Sequence, residues 1–168
     1  MTAMSTLPNG SLKLAVIGTG YVGLVSGACL AEAGHQVVCV DRIEAKIEKL
    51  RAGQIPIYEP GLDAVVQRNI EAGRLRFTTD IAEAAEGAHV VMIAVGTPTR
   101  KLDGNADLQY VYAASRDIAH ALKHHAVVVT KSTVPAGTGA EIKRIIAREN
   151  PDLDFDIASN PEFLREGN

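Results

Sequence analysis

Short apolar runs at 12–17, 36–41, 74–78, 89–95, 125–131 and 154–159 alternate along the chain with stretches at 21–33, 43–52, 62–72, 80–86, 107–123 and 137–149 in which apolar residues recur at helical spacing. Runs of that length bounded by turn residues predict strands, and the longer stretches between them predict helices. Repeated strand–helix alternation predicts an α/β fold: a doubly wound, mostly parallel sheet of about six strands with helices on both faces. The near-continuous runs Val90–Val95 and Ala126–Val129 fit strands covered on both sides. Gly34 is a natural stop for the first helix. Asp80 with Glu83 forms a capping-box pattern, Gly87 ends that short helix, and Asp107 is placed to cap the next one. The gap between the second and third runs is long, and holds Ile55–Gly61 as a rigid loop between two helices.

The residues that suit chemistry fall just after the strands. Leu12–Ile17 runs into Gly18-Thr19-Gly20-Tyr21-Val22-Gly23, and the second run ends on Asp41, eighteen residues after Gly23. A Gly-x-Gly-x-x-Gly between a strand and a helix, followed by an acid at the end of the next strand, is the Rossmann dinucleotide fingerprint. Gly18 permits the tight turn, Gly20 lets backbone approach a pyrophosphate, and Gly23 lets the helix pack closely on the strand. The helix N-terminus offers N–H groups to the phosphates. Asp41 would accept from a ribose 2′-hydroxyl and repel a 2′-phosphate, which points to NAD. Arg42 offers a cation that would suit a 2′-phosphate, but the acid at the strand end favours NAD over NADP. Flavin proteins share the glycine pattern and stay as a rival.

Gly96-Thr97-Pro98-Thr99 follows the fourth strand, Lys131-Ser132-Thr133 the fifth, and Asn160-Pro161-Glu162 the sixth. Each is also ordinary turn chemistry: Pro and Gly shape bends, and Ser or Thr cap helices. Together they line the sheet edge at which open α/β folds bind ligands. The hydroxyls and N–H groups of Gly96–Thr99 either only shape a turn or line the nicotinamide-ribose half, Thr133 either caps the next helix or positions a substrate oxygen or a catalytic water, and Arg100–Ala106 is a candidate flap. Asn160 before Pro161 reads as a helix start. One helical turn from there would put Glu162 and Glu166 on the same face, where like charges gain nothing for the helix. Proton transfer and cofactor binding are the functional alternative to an acidic turn balanced by Arg165.

At 168 residues, 46% hydrophobic and 22% charged, the chain suits one globular domain. A net charge of −3 gives no case for nucleic acid or an anionic membrane as partner. No apolar run is long enough to span a bilayer, and Met1–Gly10 lacks the pattern of a signal peptide; residues 1–11 are expected to form a flexible leader, and the cytosol is the default location. Cys29 and Cys39 are expected to be buried packing residues. His124-His125 suits a solvated pair better than a metal site, and no metal is expected.

Gly18–Gly23, Tyr58-Glu-Pro-Gly-Leu62, Val95–Thr99, Lys131–Pro135 and Ser159–Gly167 together resemble the UDP-glucose 6-dehydrogenase family (UDP-glucose/GDP-mannose dehydrogenases), in the family's order and from about Leu12 to the last residue. The resemblance implies oxidation of the C6 hydroxyl of UDP-glucose to a carboxylate, reducing two NAD⁺, through a cysteine-bound intermediate. By position it implies that Val22, Asp41 and Lys46 contact the adenosine half of NAD, and that Thr97 and Thr133, joined by Ser132, line the approach to substrate. It also implies that Glu162 acts in proton transfer and that Glu166 reaches the cofactor. Lys46 is the better family match for the cationic partner than Arg42, and Tyr58–Gly61 receives no role. The family's nucleophilic cysteine, its lysine, a central dimerising helix and a nucleotide-sugar domain are expected beyond Asn168, which makes 12–168 the NAD-binding domain of a longer homodimer or larger assembly. Neither Cys29 nor Cys39 matches the nucleophile. GDP-mannose dehydrogenase is the alternative within the class, a UDP-N-acetylmannosamine enzyme is a weaker one, and a stand-alone NAD-binding or redox-sensing module is the alternative outside it.

Overall fold

The computed structural model describes residues 10–100 and 104–162. Most of the leader, part of the candidate flap, and Arg165 and Glu166 lie outside the described residues. Six parallel strands, β1 (Lys13–Ile17), β2 (Gln36–Val40), β3 (Leu75–Thr78), β4 (Val90–Ile93), β5 (Ala126–Thr130) and β6 (Phe155–Ser159), form one sheet in the order β3-β2-β1-β4-β5-β6. Between them run α1 (Tyr21–Glu32), α2 (Glu44–Arg51), α3 (Leu62–Glu71), α4 (Ile81–Ala85), α5 (Gln109–Ala121) and α6 (Thr138–Glu149). Each predicted element is present, with ends shifted by one or two residues.

Side-chain alternation along the strands divides the core into two layers. Leu14 and Val16 of β1, with Val37 and Cys39 of β2, pack under Leu24 and Ala28 of α1, Ile47 and Leu50 of α2, and Val66 of α3. Ala15, Ile17, Val38 and Val40 point the other way, onto α4, α5 and α6 through Ala84, Val111, Ile118, Ile142 and Ile146. A period of two on the strands met by helical stripes from both sides fixes the register, because a one-residue slip would turn each layer to the wrong face. Chain direction reverses its crossover side between β1 and β4, so the carboxyl ends of these strands open a crevice.

Local expectations differ from the structure at several points. Asp80 caps α4 by accepting from the amides of Ala82 (2.8 Å) and Glu83 (3.4 Å), but the Glu83 carboxylate accepts from the Thr78 hydroxyl (2.6 Å). The Asp80 amide also donates to the Thr78 oxygen (3.1 Å), so the capping box closes through a third residue. Asp107 accepts from the Gln109 amide at 3.0 Å, while Leu108 occupies the cap position itself. His124 and His125 are half-buried rather than a solvated pair: His124 bonds the Ala88 carbonyl (3.0 Å) and His125 meets Asp156 (3.4 Å). Cys29 is exposed, on the outer side of α1; only Cys39 is buried.

Candidate functional site

The glycine turn is shaped by contacts that admit no side chain. Gly18 has φ +106°, and a Cβ there would sit 2.5 Å from the Ala94 carbonyl oxygen at the end of β4. A Cβ on Gly23 would lie 2.0 Å from the Gly18 oxygen. Gly23 therefore seats α1 against its own turn and against the end of β4, where the same added Cβ would lie 3.2 Å from the Ala94 Cβ. Gly27, outside the glycine motif, also lets α1 approach the sheet: a Cβ there would meet the Cys39 sulfur at 2.6 Å. Gly20 is different: a Cβ there meets nothing within 4 Å. It caps α1 without a side-chain hydrogen bond, and no acidic residue occupies the first turn of Tyr21, Val22 and Gly23. A helix end left clear of side chains, with N–H groups aimed outward, fits a phosphate.

Asp41 is held by that same turn. Its Oδ2 accepts from the backbone amide (3.2 Å) and hydroxyl (2.6 Å) of Thr19 and from the Lys46 ammonium (2.8 Å), and its Oδ1 accepts from the Ile43 amide (3.2 Å). Burial works to raise the pKa of Asp41, but the hydrogen bonds from Lys46 and Thr19 outweigh it and hold the carboxyl below its ordinary value. Thr19, fully buried, was missed in the sequence, although a hydroxyl inside a glycine turn is the available signal. These residues line a cleft of about 680 Å3 that runs from Asp41, Arg42 and Lys46 past Gly18–Gly20 to Gly96 and Pro98. Its other wall is Ile81, Tyr110, Ala114 and Asp117, a largely apolar slot of the size and chemistry that suits an adenosine.

A second group joins the cleft through the loop after β4. The Thr97 hydroxyl donates to the Thr133 carbonyl (3.1 Å), and the Thr133 hydroxyl donates to the Glu162 carbonyl (3.1 Å). Lys131, only 9% exposed, donates to Asn160 Oδ1 (2.9 Å) and to Glu162 Oε2 (2.5 Å). The Ser132 hydroxyl turns inward to the Val95 carbonyl at 2.7 Å. Thus neither Ser132 nor Thr133 caps α6, which begins at Thr138 behind a left-handed Gly137. Asn160 serves Lys131, and the turn that would align Glu162 with Glu166 lies outside the described residues. Sequence reading gave Lys131 no task of its own; its burial at a strand end is the property that the sequence could not display. Glu59, from the Tyr58–Gly61 loop, accepts a hydrogen bond from the Tyr21 phenol and so ties that loop to the start of α1. Arg100–Ala106 is pinned at its base by a bridge between Thr99 and Ala106 and by the Arg100 amide on the Asn105 carbonyl (2.7 Å).

Among the described residues no helix is long and apolar enough to cross a membrane, and no group of three or more His, Cys, Asp or Glu is placed to hold a metal.

A parallel sheet of this order, with a glycine turn, a clear helix end and an anchored acid at its carboxyl edge, defines an NAD-binding domain of the dehydrogenase class. The sequence profile described as "UDP-glucose/GDP-mannose dehydrogenase family, NAD binding domain" matches residues 12–168, and the chain belongs to that family. A UDP-glucose 6-dehydrogenase of Rhizobium meliloti (strain 1021) is 60% identical over 93% of this chain and 36% of the relative. The structure of a UDP-glucose dehydrogenase from Pyrobaculum islandicum superposes with a TM-score of 0.89 at 44% identity, covering 96% of this chain and 38% of that one. A GDP-mannose dehydrogenase ternary complex from Pseudomonas aeruginosa gives a TM-score of 0.88 at 38% identity, covering 92% and 37%. The chain thus spans little more than a third of the length of these relatives.

Proposed function

We propose that this chain is the cofactor-binding part of an enzyme that oxidises the C6 hydroxyl of UDP-glucose to the carboxylate of UDP-glucuronate with two NAD⁺. The gathering of five segments along one sheet edge supports the reading: the turns after β1, β2 and β4 line the cleft, and those after β5 and β6 are tied to it by the Thr97–Thr133–Glu162 hydrogen bonds. Greater identity to UDP-glucose enzymes than to the GDP-mannose enzyme supports the choice of sugar nucleotide.

In this reading the amides at Tyr21, Val22 and Gly23 take the pyrophosphate, with Gly18 and Gly20 leaving it room. Asp41, kept ionised by Lys46 and Thr19, receives the adenosine ribose hydroxyls. Bound NAD⁺ supplies the hydride acceptor. Thr97, Ser132 and Thr133 shape the wall between nicotinamide and substrate, Glu162 moves the proton, and Glu166 completes the cofactor contacts. The substrate hydroxyl must lose a proton as its carbon loses hydride, and Glu162 is the carboxyl group assigned to that proton in this reading. Neither cysteine suits the covalent step: burial pushes the Cys39 thiol up to about 12, and Cys29 lies on the outer face of α1.

A sugar-nucleotide panel on the protein in its full natural length tests this. NADH formation with UDP-glucose is expected; turnover with GDP-mannose alone would reverse the choice of substrate, and failure of the present chain to bind NAD would remove the reading itself.

A further inference from the structure

Two cations line the adenosine end of the cleft, and each is engaged by a carboxylate. Lys46 is 2.8 Å from Asp41, and Arg42 is 2.5 Å from Asp117 of α5. Asp41 and Arg42 leave the end of β2, whereas Asp117 stands on the facing wall with Tyr110 and Ala114. The Arg42 and Asp117 side chains are 70% and 44% exposed, so their pairing adds little to stability. Its consequence is electrostatic. A guanidinium next to the ribose-binding acid is the group best suited to grip a phosphate with two parallel hydrogen bonds. Here that fork faces Asp117 instead, and the two positive and two negative groups cancel.

We propose that Asp117 is a specificity residue: it holds Arg42 away from the adenosine 2′ position and, with Asp41, repels a 2′-phosphate, so that the site rejects cofactors phosphorylated there. The inference rests on the NAD reading above. Asp117 touches no reacting atom, and its effect is confined to the adenosine half of the ligand. Asp117→Asn keeps the shape while leaving one uncompensated positive charge beside the 2′ position.

The test uses calorimetric titration of the chain with AMP and with 2′,5′-ADP, which differ only by the 2′-phosphate. Asp117→Asn is expected to tighten 2′,5′-ADP by about 5-fold at low salt, as one unit of charge acting at roughly 8 Å through water on a phosphate of about two charges would give. AMP affinity should change by a clearly smaller factor than that of 2′,5′-ADP, because AMP lacks the 2′-phosphate, and about 0.5 M salt should erase the difference. Adding Arg42→Ala to Asp117→Asn should remove it as well, since the freed guanidinium is then absent. Unchanged 2′,5′-ADP affinity in a variant that still binds AMP would overturn the inference alone, as would an equal change for both ligands. Absence of AMP binding in the unmodified chain would overturn the NAD reading and this inference with it.

Discussion

The ammonium of Lys131 lies 2.5 Å from Oε2 of Glu162, joining the exit of β5 to the segment that leaves β6. The Lys131 side chain is 11% exposed and that of Glu162 31%, so the pair sits at the border of the interior. Removing one partner from a well-buried pair costs about 3–5 kcal/mol; the partial exposure of Glu162 reduces that to roughly 1–3 kcal/mol. Lys131→Met should lower stability by that amount in urea unfolding, and Lys131→Arg should recover part of it. A midpoint unmoved by Lys131→Met would show that the cross-strand clasp is not formed in solution.

Asp41→Ala should weaken NAD binding roughly 10–100-fold, the range set by losing hydrogen bonds to a charged acceptor. Discrimination against NADP should shrink at the same time, because the variant frees the Lys46 ammonium. Titration with both cofactors checks it, and equal affinities before and after substitution would exclude Asp41 from the ribose contact.

The same carboxylate gives a pH dependence of known sign. Its pKa in the folded chain is below the ordinary 3.8, so the stabilisation from Thr19 and Lys46 is fully present above 3.8 and is lost as pH falls through the lower folded value. Asp41→Asn should therefore flatten the acid limb of a stability–pH curve below about pH 4 while leaving its slope near neutrality unchanged.

Two glycines of one motif should respond in opposite ways. Gly20→Ala puts a methyl group where nothing lies within 4 Å, so thermal stability should hold while affinity for NAD falls. Gly23→Ala drives a Cβ to within 2.0 Å of the Gly18 oxygen and should unfold or displace the start of α1, a loss of about 2 kcal/mol or more. Thermal melts and cofactor titration on both variants separate the cases; equal melting losses would refute the distinction.

A thiol reagent at neutral pH should label Cys29 rapidly and Cys39 only on unfolding, since Cys39 is buried and its thiol is held protonated. Counting released chromophore per chain before and after denaturant reads this out, and two fast thiols would contradict the placement of Cys39.

The fold was almost wholly legible because its signals are local. Alternation of apolar runs and helical stripes located all twelve elements, and Gly18, Gly20 and Asp41 of the glycine pattern and the following strand end line one cleft. What sequence could not display depends on which distant groups meet. Thr19 looks like filler inside a glycine turn until the Asp41 oxygen arrives from β2. Lys131 reads as a polar strand end until Asn160 and Glu162 close over it. Cys29 sits among small apolar residues that suggest burial, but its position on α1 turns it away from the sheet. Thr78 enters the Asp80–Glu83 cap because its hydroxyl both accepts from the Asp80 amide and donates to the Glu83 carboxylate, a matter of side-chain reach rather than spacing.

The van der Waals interlock of Gly18 and Gly23 makes turn and helix a single mechanical part. Any bulk added at position 23 must lever α1 outward, swinging the amides at its tip off the line on which they converge. Damage there would be felt as lost aim: every donor would survive, pointed at the wrong place.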